Sequence, residues 1–108
     1  MNKRLTKLLN DSLAWNMAKL PNNNLELQLN KYVEEVDEFC ESLEIEELGD
    51  VLISIGGMMR FDSYLAYDML EHFLSDVDTD HLYAAIIAAE NKLPILYERD
   101  YSDGYHHK

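Results

Sequence analysis

The stretch Glu34–Asp50, EEVDEFCESLEIEELGD, limits the fold of this chain more than any other. Nine of its seventeen residues are carboxylates: Glu34, Glu35, Asp37, Glu38, Glu41, Glu44, Glu46, Glu47 and Asp50. Two carboxylates about 5 Å apart repel by roughly 3 kcal/mol at an effective dielectric near 20. A crowd of this density has three outlets: full solvation, protonation, or a cation. The stretch holds two ordered pieces, Glu34-Glu35-x-x-Glu38 and Glu47-x-x-Asp50. On a helix, residues three or four apart are neighbours, so Glu35 adjoins Glu38 and Glu47 adjoins Asp50.

The rest of the chain reads as helices too. Leu5, Leu8, Leu9, Leu13 and Trp15 recur at helical spacing and predict a helix over 2–18. Pro21 and Asn22-Asn23-Asn24 break it, and Asn24 caps a second helix, from about Leu25 to Ser42. On a wheel of about 100° per residue, Leu25, Leu29, Tyr32, Val33, Val36, Phe39, Cys40 and Leu43 gather in one arc, which is the expected core face. Glu26, Asn30, Asp37 and Glu41 form a solvated stripe, and Glu34, Glu35 and Glu38 share a third arc with Leu27 and Lys31.

A break near Ser42–Glu44 precedes a third helix, from about 44 to 61. Leu48, Val51, Leu52, Ile55, Met58 and Met59 make its apolar face, with Glu47, Asp50 and Ser54 along the edge. Gly56-Gly57 weakens it and allows a neighbour to pack closely. A fourth helix is expected over 62–75, a capped turn over 76–80, and a fifth helix over 79–93, with Pro94 as its end or a kink. Residues 95–108 show no regular pattern and read as a flexible tail or one that covers the site. With no strand alternation and no repeat, the expectation is one all-α domain over 1–108. It is a bundle of about four to five helices with an acidic antiparallel pair at its centre. At 108 residues the core is modest, so oligomerisation is the natural supplement.

Charge narrows the partners. With 21 acidic and 9 basic residues the formal net charge is −12, which excludes a nucleic-acid backbone as ligand and suits a partner that arrives with cations. The single cysteine, Cys40, rules out an intrachain disulfide, and a reducing cytoplasm is expected. The basic start MNKRLTKLLN lacks an apolar run, so no signal peptide is expected, and no stretch approaches a membrane span.

Carboxylates in this number are hard oxygen donors, suited to Mg²⁺ or Mn²⁺. Other metal chemistries fail on spacing. Asp76-x-Asp78-x-Asp80 begins like a calcium loop, but His81 and Ile87 stand where that loop needs Gly and Glu. There is no repeated Glu-x-x-His for a di-iron bundle, and Cys40 has no cysteine partner for zinc. The bland alternative is a solvated acidic face. Against it, Glu47 and Asp50 border an apolar arc, and a short turn sets the two acidic arcs facing each other.

Glu34-Glu35-x-x-Glu38 followed by Glu47-x-x-Asp50, with Gly49 before the Asp and Val51-Leu52 after it, resembles the MazG-like all-α nucleoside triphosphate pyrophosphohydrolases. Trp15, Pro21, Asn24-Leu25, Asn91-Lys92-Leu93 and Arg99 extend the resemblance over most of the chain. Only eight residues separate Glu38 from Glu47, a tighter turn than the family's usual one, which implies a small subtype.

The resemblance implies Mg²⁺-dependent hydrolysis between the α- and β-phosphates, releasing a nucleoside monophosphate and pyrophosphate, in nucleotide-pool house-cleaning. It implies metal ligation by Glu35, Glu38, Glu47 and Asp50, with Mn²⁺ as a substitute, and a ligand- or water-orienting role for Glu34. It also implies a homodimer or dimer of dimers. Trp15, Lys19, Lys31, Lys92 and Arg99 are candidates for substrate contact. Their ordinary alternatives are core packing for Trp15, surface charge for Lys92 and Arg99, and pairing with the acidic arc for Lys31. Two rival readings stand beside this one. The first is a non-enzymatic acidic helical interaction protein, such as a DNA mimic or an inhibitor of a basic partner. The second is a related enzyme acting on another phosphoanhydride, such as a phosphoribosyl-ATP.

Overall fold

The structure, a computed structural model, describes residues 2–100. Each helix start is set by a side chain that accepts otherwise unsatisfied backbone N–H groups, with one exception. Asn2 caps α1 (Lys3–Lys19) and Asn24 caps α2 (Leu25–Ser42). Asp62 caps α4 (Ser63–Asp76) and Asp78 caps α5 (Thr79–Glu98). The exception is α3 (Ile45–Met58), where Glu44 makes no side-chain cap bond and acidic residues occupy the first turn instead. The described residues form an all-α bundle without strands. No helix among them is long and apolar enough to cross a membrane.

The centre is α3, which packs against each of the other four helices. Every residue from Val51 to Met58 is buried. Two glycines let its neighbours approach. A Cβ at Gly56 would lie 2.6 Å from Ser12 Cβ and 2.8 Å from the Leu9 carbonyl oxygen, and one at Gly49 would lie 3.1 Å from the Ala85 oxygen. The first crossing is therefore closed to any side chain unless the backbone of α1 moves.

The packing of α2 reverses the expectation. Leu25, Val33, Cys40 and Leu43 of its apolar arc are exposed, and Leu29, Tyr32, Val36 and Phe39 are half-buried. The residues of α2 that are buried are Gln28 and Glu35. The helix is rotated so that one edge of its apolar arc reaches the core while the other faces outward. A polar network explains the rotation. Gln28 Nε2 donates to the Ser54 carbonyl at 2.9 Å, and Gln28 Oε1 accepts from Asn16 Nδ2 at 3.0 Å and Asn23 Nδ2 at 2.7 Å. Arg60 joins it, donating to Asn16 Oδ1 at 3.1 Å and to the Leu20 carbonyl at 2.8 Å. A buried amide satisfied on both ends is costly to unmake, and this one ties α1, α2 and α3 together.

Helix α2 ends at Leu43, whose backbone is left-handed (φ 57°, ψ 24°) and whose N–H donates to the Phe39 carbonyl at 2.7 Å. A side chain in that conformation costs roughly 1–2 kcal/mol, which glycine would avoid. The connection to α3 is only Leu43-Glu44, so the two helices run antiparallel.

Two other boundaries differ from expectation. Helix α3 stops at Met58 rather than 61, because Phe61 and Asp62 both donate their N–H groups to the Met58 carbonyl and Asp62 leaves to cap α4. Helix α5 runs through Pro94 to Glu98. Pro94 is exposed, whereas Leu93 and Leu96 are buried on the stripe begun by Ala85 and Ala89. Burial of Leu96 carries the helix past a residue that ordinarily ends one. Residues 95–98 of the expected tail are thus helical, and 101–108 lie outside the described residues.

Candidate metal centre

The antiparallel pair α2–α3 sets the geometry. From Gln28, two helical turns along α2 lead to Glu35. From Ser54, its hydrogen-bond partner, two turns back along α3 lead to Glu47. The Gln28 anchor therefore fixes the register in which Glu35 meets Glu47. One carboxylate oxygen from each of Glu35, Glu47 and Asp50 lies within 4.8 Å of the other two. Glu35 is 4% exposed, and Glu38, Glu47 and Asp50 are half-buried. One oxygen each of Glu35, Glu38 and Glu47 is shielded from solvent. This is not a solvated face.

Partial compensation comes from two lysines on opposite flanks. Lys31 Nζ is 2.9 Å from Glu35 Oε1 and 3.7 Å from Glu34 Oε1. Lys92 Nζ, from α5, is 3.2 Å from Asp50 Oδ1 and 3.3 Å from Oδ2. Among the described residues, Glu34, Glu35, Glu38, Glu47 and Asp50 bring five carboxylates against these two ammonium groups. Part of the imbalance falls on Glu47. Burial first, then a hydrogen bond with Glu38 and the charges of Asp50, Glu38 and Glu35, hold its carboxyl above the usual carboxylate range.

The donor set fits a hard divalent cation. Octahedral Mg²⁺ with oxygens at about 2.0–2.1 Å sets neighbouring ligands about 2.9 Å apart and opposite ones about 4.1 Å apart, so the triad, whose oxygens lie within 4.8 Å of one another, would close around the ion. Oxygen-only donors do not select zinc. Glu35, Glu47 and Asp50 form the triad, Glu38 adjoins it through Glu47, and Glu34, with 40% of its side chain exposed, stands at its rim beside Lys31.

The remaining sequence candidates fall elsewhere. Trp15 is 2% exposed in the core, so its ring faces are covered by protein. Lys19 ends α1 and Arg99 caps α5, and the ion pairs that described residues make to the cluster come from Lys31 and Lys92. Sequence reasoning missed Gln28, Asn16, Asn23 and Arg60. One signal was available, since Gln28 lies one heptad before Glu35 and any rotation that buries one buries the other.

A groove of about 560 Å³ between α1 and α5, lined by Lys7, Leu8, Asp11, Glu90, Leu93 and Tyr97 among others, shares no residue with the cluster. Its charges are already matched, Lys7 with Asp11 at 2.6 Å and Glu90 with Arg4 at 2.6 Å. The chain matches no family model, no curated protein and no solved structure.

Proposed function

We propose that this protein is a Mg²⁺-dependent nucleoside triphosphate pyrophosphohydrolase of the MazG-like kind, cleaving a (deoxy)nucleoside triphosphate to monophosphate and pyrophosphate in nucleotide-pool house-cleaning. One observation carries the reading: carboxylates from two antiparallel helices converge in a partly buried cluster, with one oxygen each of Glu35, Glu47 and Asp50 within 4.8 Å of the others. A solvated acidic surface has no need of that arrangement, and a mimic of nucleic acid would spread its charges.

In this reading Glu35, Glu47 and Asp50 would hold the cation, with Glu38 beside Glu47 as a further donor. A bound Mg²⁺ supplies charge that neutralises the phosphates and lowers the pKa of an attacking water. Glu34, on the rim, orients that water, and Lys31 and Lys92 stand where triphosphate oxygens would approach. The triphosphate and the cluster repel each other, so substrate and cation arrive together. The outward half of the α2 apolar arc fits a homodimer, which would also help enclose a nucleotide that one small chain cannot surround.

The test is pyrophosphate release from each dNTP and NTP in turn with Mg²⁺. Turnover of at least one nucleotide is expected, reduced at least about a hundredfold by Glu38→Gln. No turnover across the panel, or full activity in Glu38→Gln, would overturn the proposal.

A further inference from the structure

The geometry points to an exchange of counter-ions at this site: Lys31 and Lys92 neutralise Glu35 and Asp50 while no cation is bound, and turn to the substrate's phosphates once a divalent cation takes those carboxylates. The inference rests on the metal-site reading above and goes beyond it, because it assigns the two lysines opposite effects on the two ligands.

Three observations support it. The lysines come from different helices, α2 and α5, and each holds a different member of the triad, while Glu47 has neither. Lys31 Nζ sits 2.9 Å from one oxygen of Glu35, and Lys92 Nζ sits 3.2 and 3.3 Å from both oxygens of Asp50, two carboxylates of the triad. A dication among those oxygens repels an ammonium held on them, so both cannot keep their best positions. Lysine is suited to the move, being a compact charge on a flexible four-carbon stem. The Lys92 side chain is 30% exposed, which leaves it room to turn outward. A released ammonium beside a bound cation meets the next anion to arrive, and a triphosphate offers several. The metal-free cluster is thereby kept from collapsing under its own charge, and substrate affinity is coupled to cation occupancy.

The coupling gives a signature that a merely supportive lysine would not. Mn²⁺ affinity is measured by calorimetry on the full chain, wild type against Lys92→Met, with helicity checked by circular dichroism. Tripolyphosphate affinity is then measured at saturating Mn²⁺, a probe that needs no knowledge of base preference. Lys92→Met is expected to bind Mn²⁺ about fivefold more tightly, the scale of a partly exposed ion pair, and tripolyphosphate at least about fivefold more weakly. Lys92→Arg, which keeps the charge, stays near wild type in both. If Lys92→Met binds Mn²⁺ no more tightly than wild type, or binds tripolyphosphate as well as wild type does, the exchange is wrong while the metal site stands. Absence of saturable Mn²⁺ binding in wild type overturns the metal-site reading and the exchange with it.

Discussion

Burial and three neighbouring carboxylates hold the Glu47 carboxyl above its usual range, so the folded chain binds that proton more tightly than the unfolded chain does. The contribution to stability is therefore complete below the unfolded pKa and is lost as pH rises through the raised, folded value. In Glu47→Gln the neutral state is permanent and the loss disappears. Without metal, the variant should be more stable than wild type at pH 7, with the gain shrinking toward pH 4. Urea denaturation across that range, in the presence of a chelator, checks the sign; equal or lower stability at pH 7 would contradict it. At this scale the proximity of Glu35, Glu47 and Asp50 was legible in part, because helical spacing pairs Glu47 with Asp50 and a short turn brings α2 back along α3. The role of Trp15 was not, since an indole serves a core or a ligand equally well and only burial decides.

Among the helices, α2 shows best what sequence pattern can and cannot settle. Its limits follow from the Asn24 cap and the break after Ser42, and both were readable. Its rotation was not, because the apolar arc is the broader one and ordinarily turns inward. The network of Gln28 with Asn16, Asn23 and the Ser54 carbonyl turns a polar face inward instead, and three of its four members are uncharged side chains with no pattern to announce them. Pro94 taught the same lesson in reverse: a local breaker yields where burial of Leu96 outweighs it. The network predicts that Gln28→Met, close in volume but without the amide, loses about 1–3 kcal/mol through stranded partners. It should also weaken Mn²⁺ binding, although Gln28 is two turns from Glu35, because α2 is then free to rotate toward its apolar arc. Chemical denaturation and Mn²⁺ titration of the same variant check both parts, and unchanged metal affinity would show that register does not depend on Gln28.

For the whole molecule, the question is what covers the outward half of α2. Val33, 53% exposed, and Cys40 lie on the outward edge of α2, and Leu25 and Leu43 are 39% and 71% exposed at its two ends, in a chain of net charge −12 that would otherwise stay apart from its copies. The homodimer proposed above places this arc at the interface. It predicts a dimer by sedimentation at micromolar concentration, shifted toward monomer by Val33→Glu with helicity retained. A monomeric wild type would remove the dimer from the account while leaving the cluster, which one chain builds, in place. The all-α architecture was legible from periodicity and breakers; the order of packing around α3 was not, since it depends on which helix approaches Gly49 and which approaches Gly56.

The central claim is that the α2–α3 cluster is a cation site rather than a set of carboxylates balanced by lysines alone. Titration of Mn²⁺ followed by its electron paramagnetic resonance signal, on wild type and Glu47→Gln, tests it directly. The account predicts saturable binding in wild type that is lost in a still-folded Glu47→Gln; weak, unsaturable binding that is the same in both would contradict it.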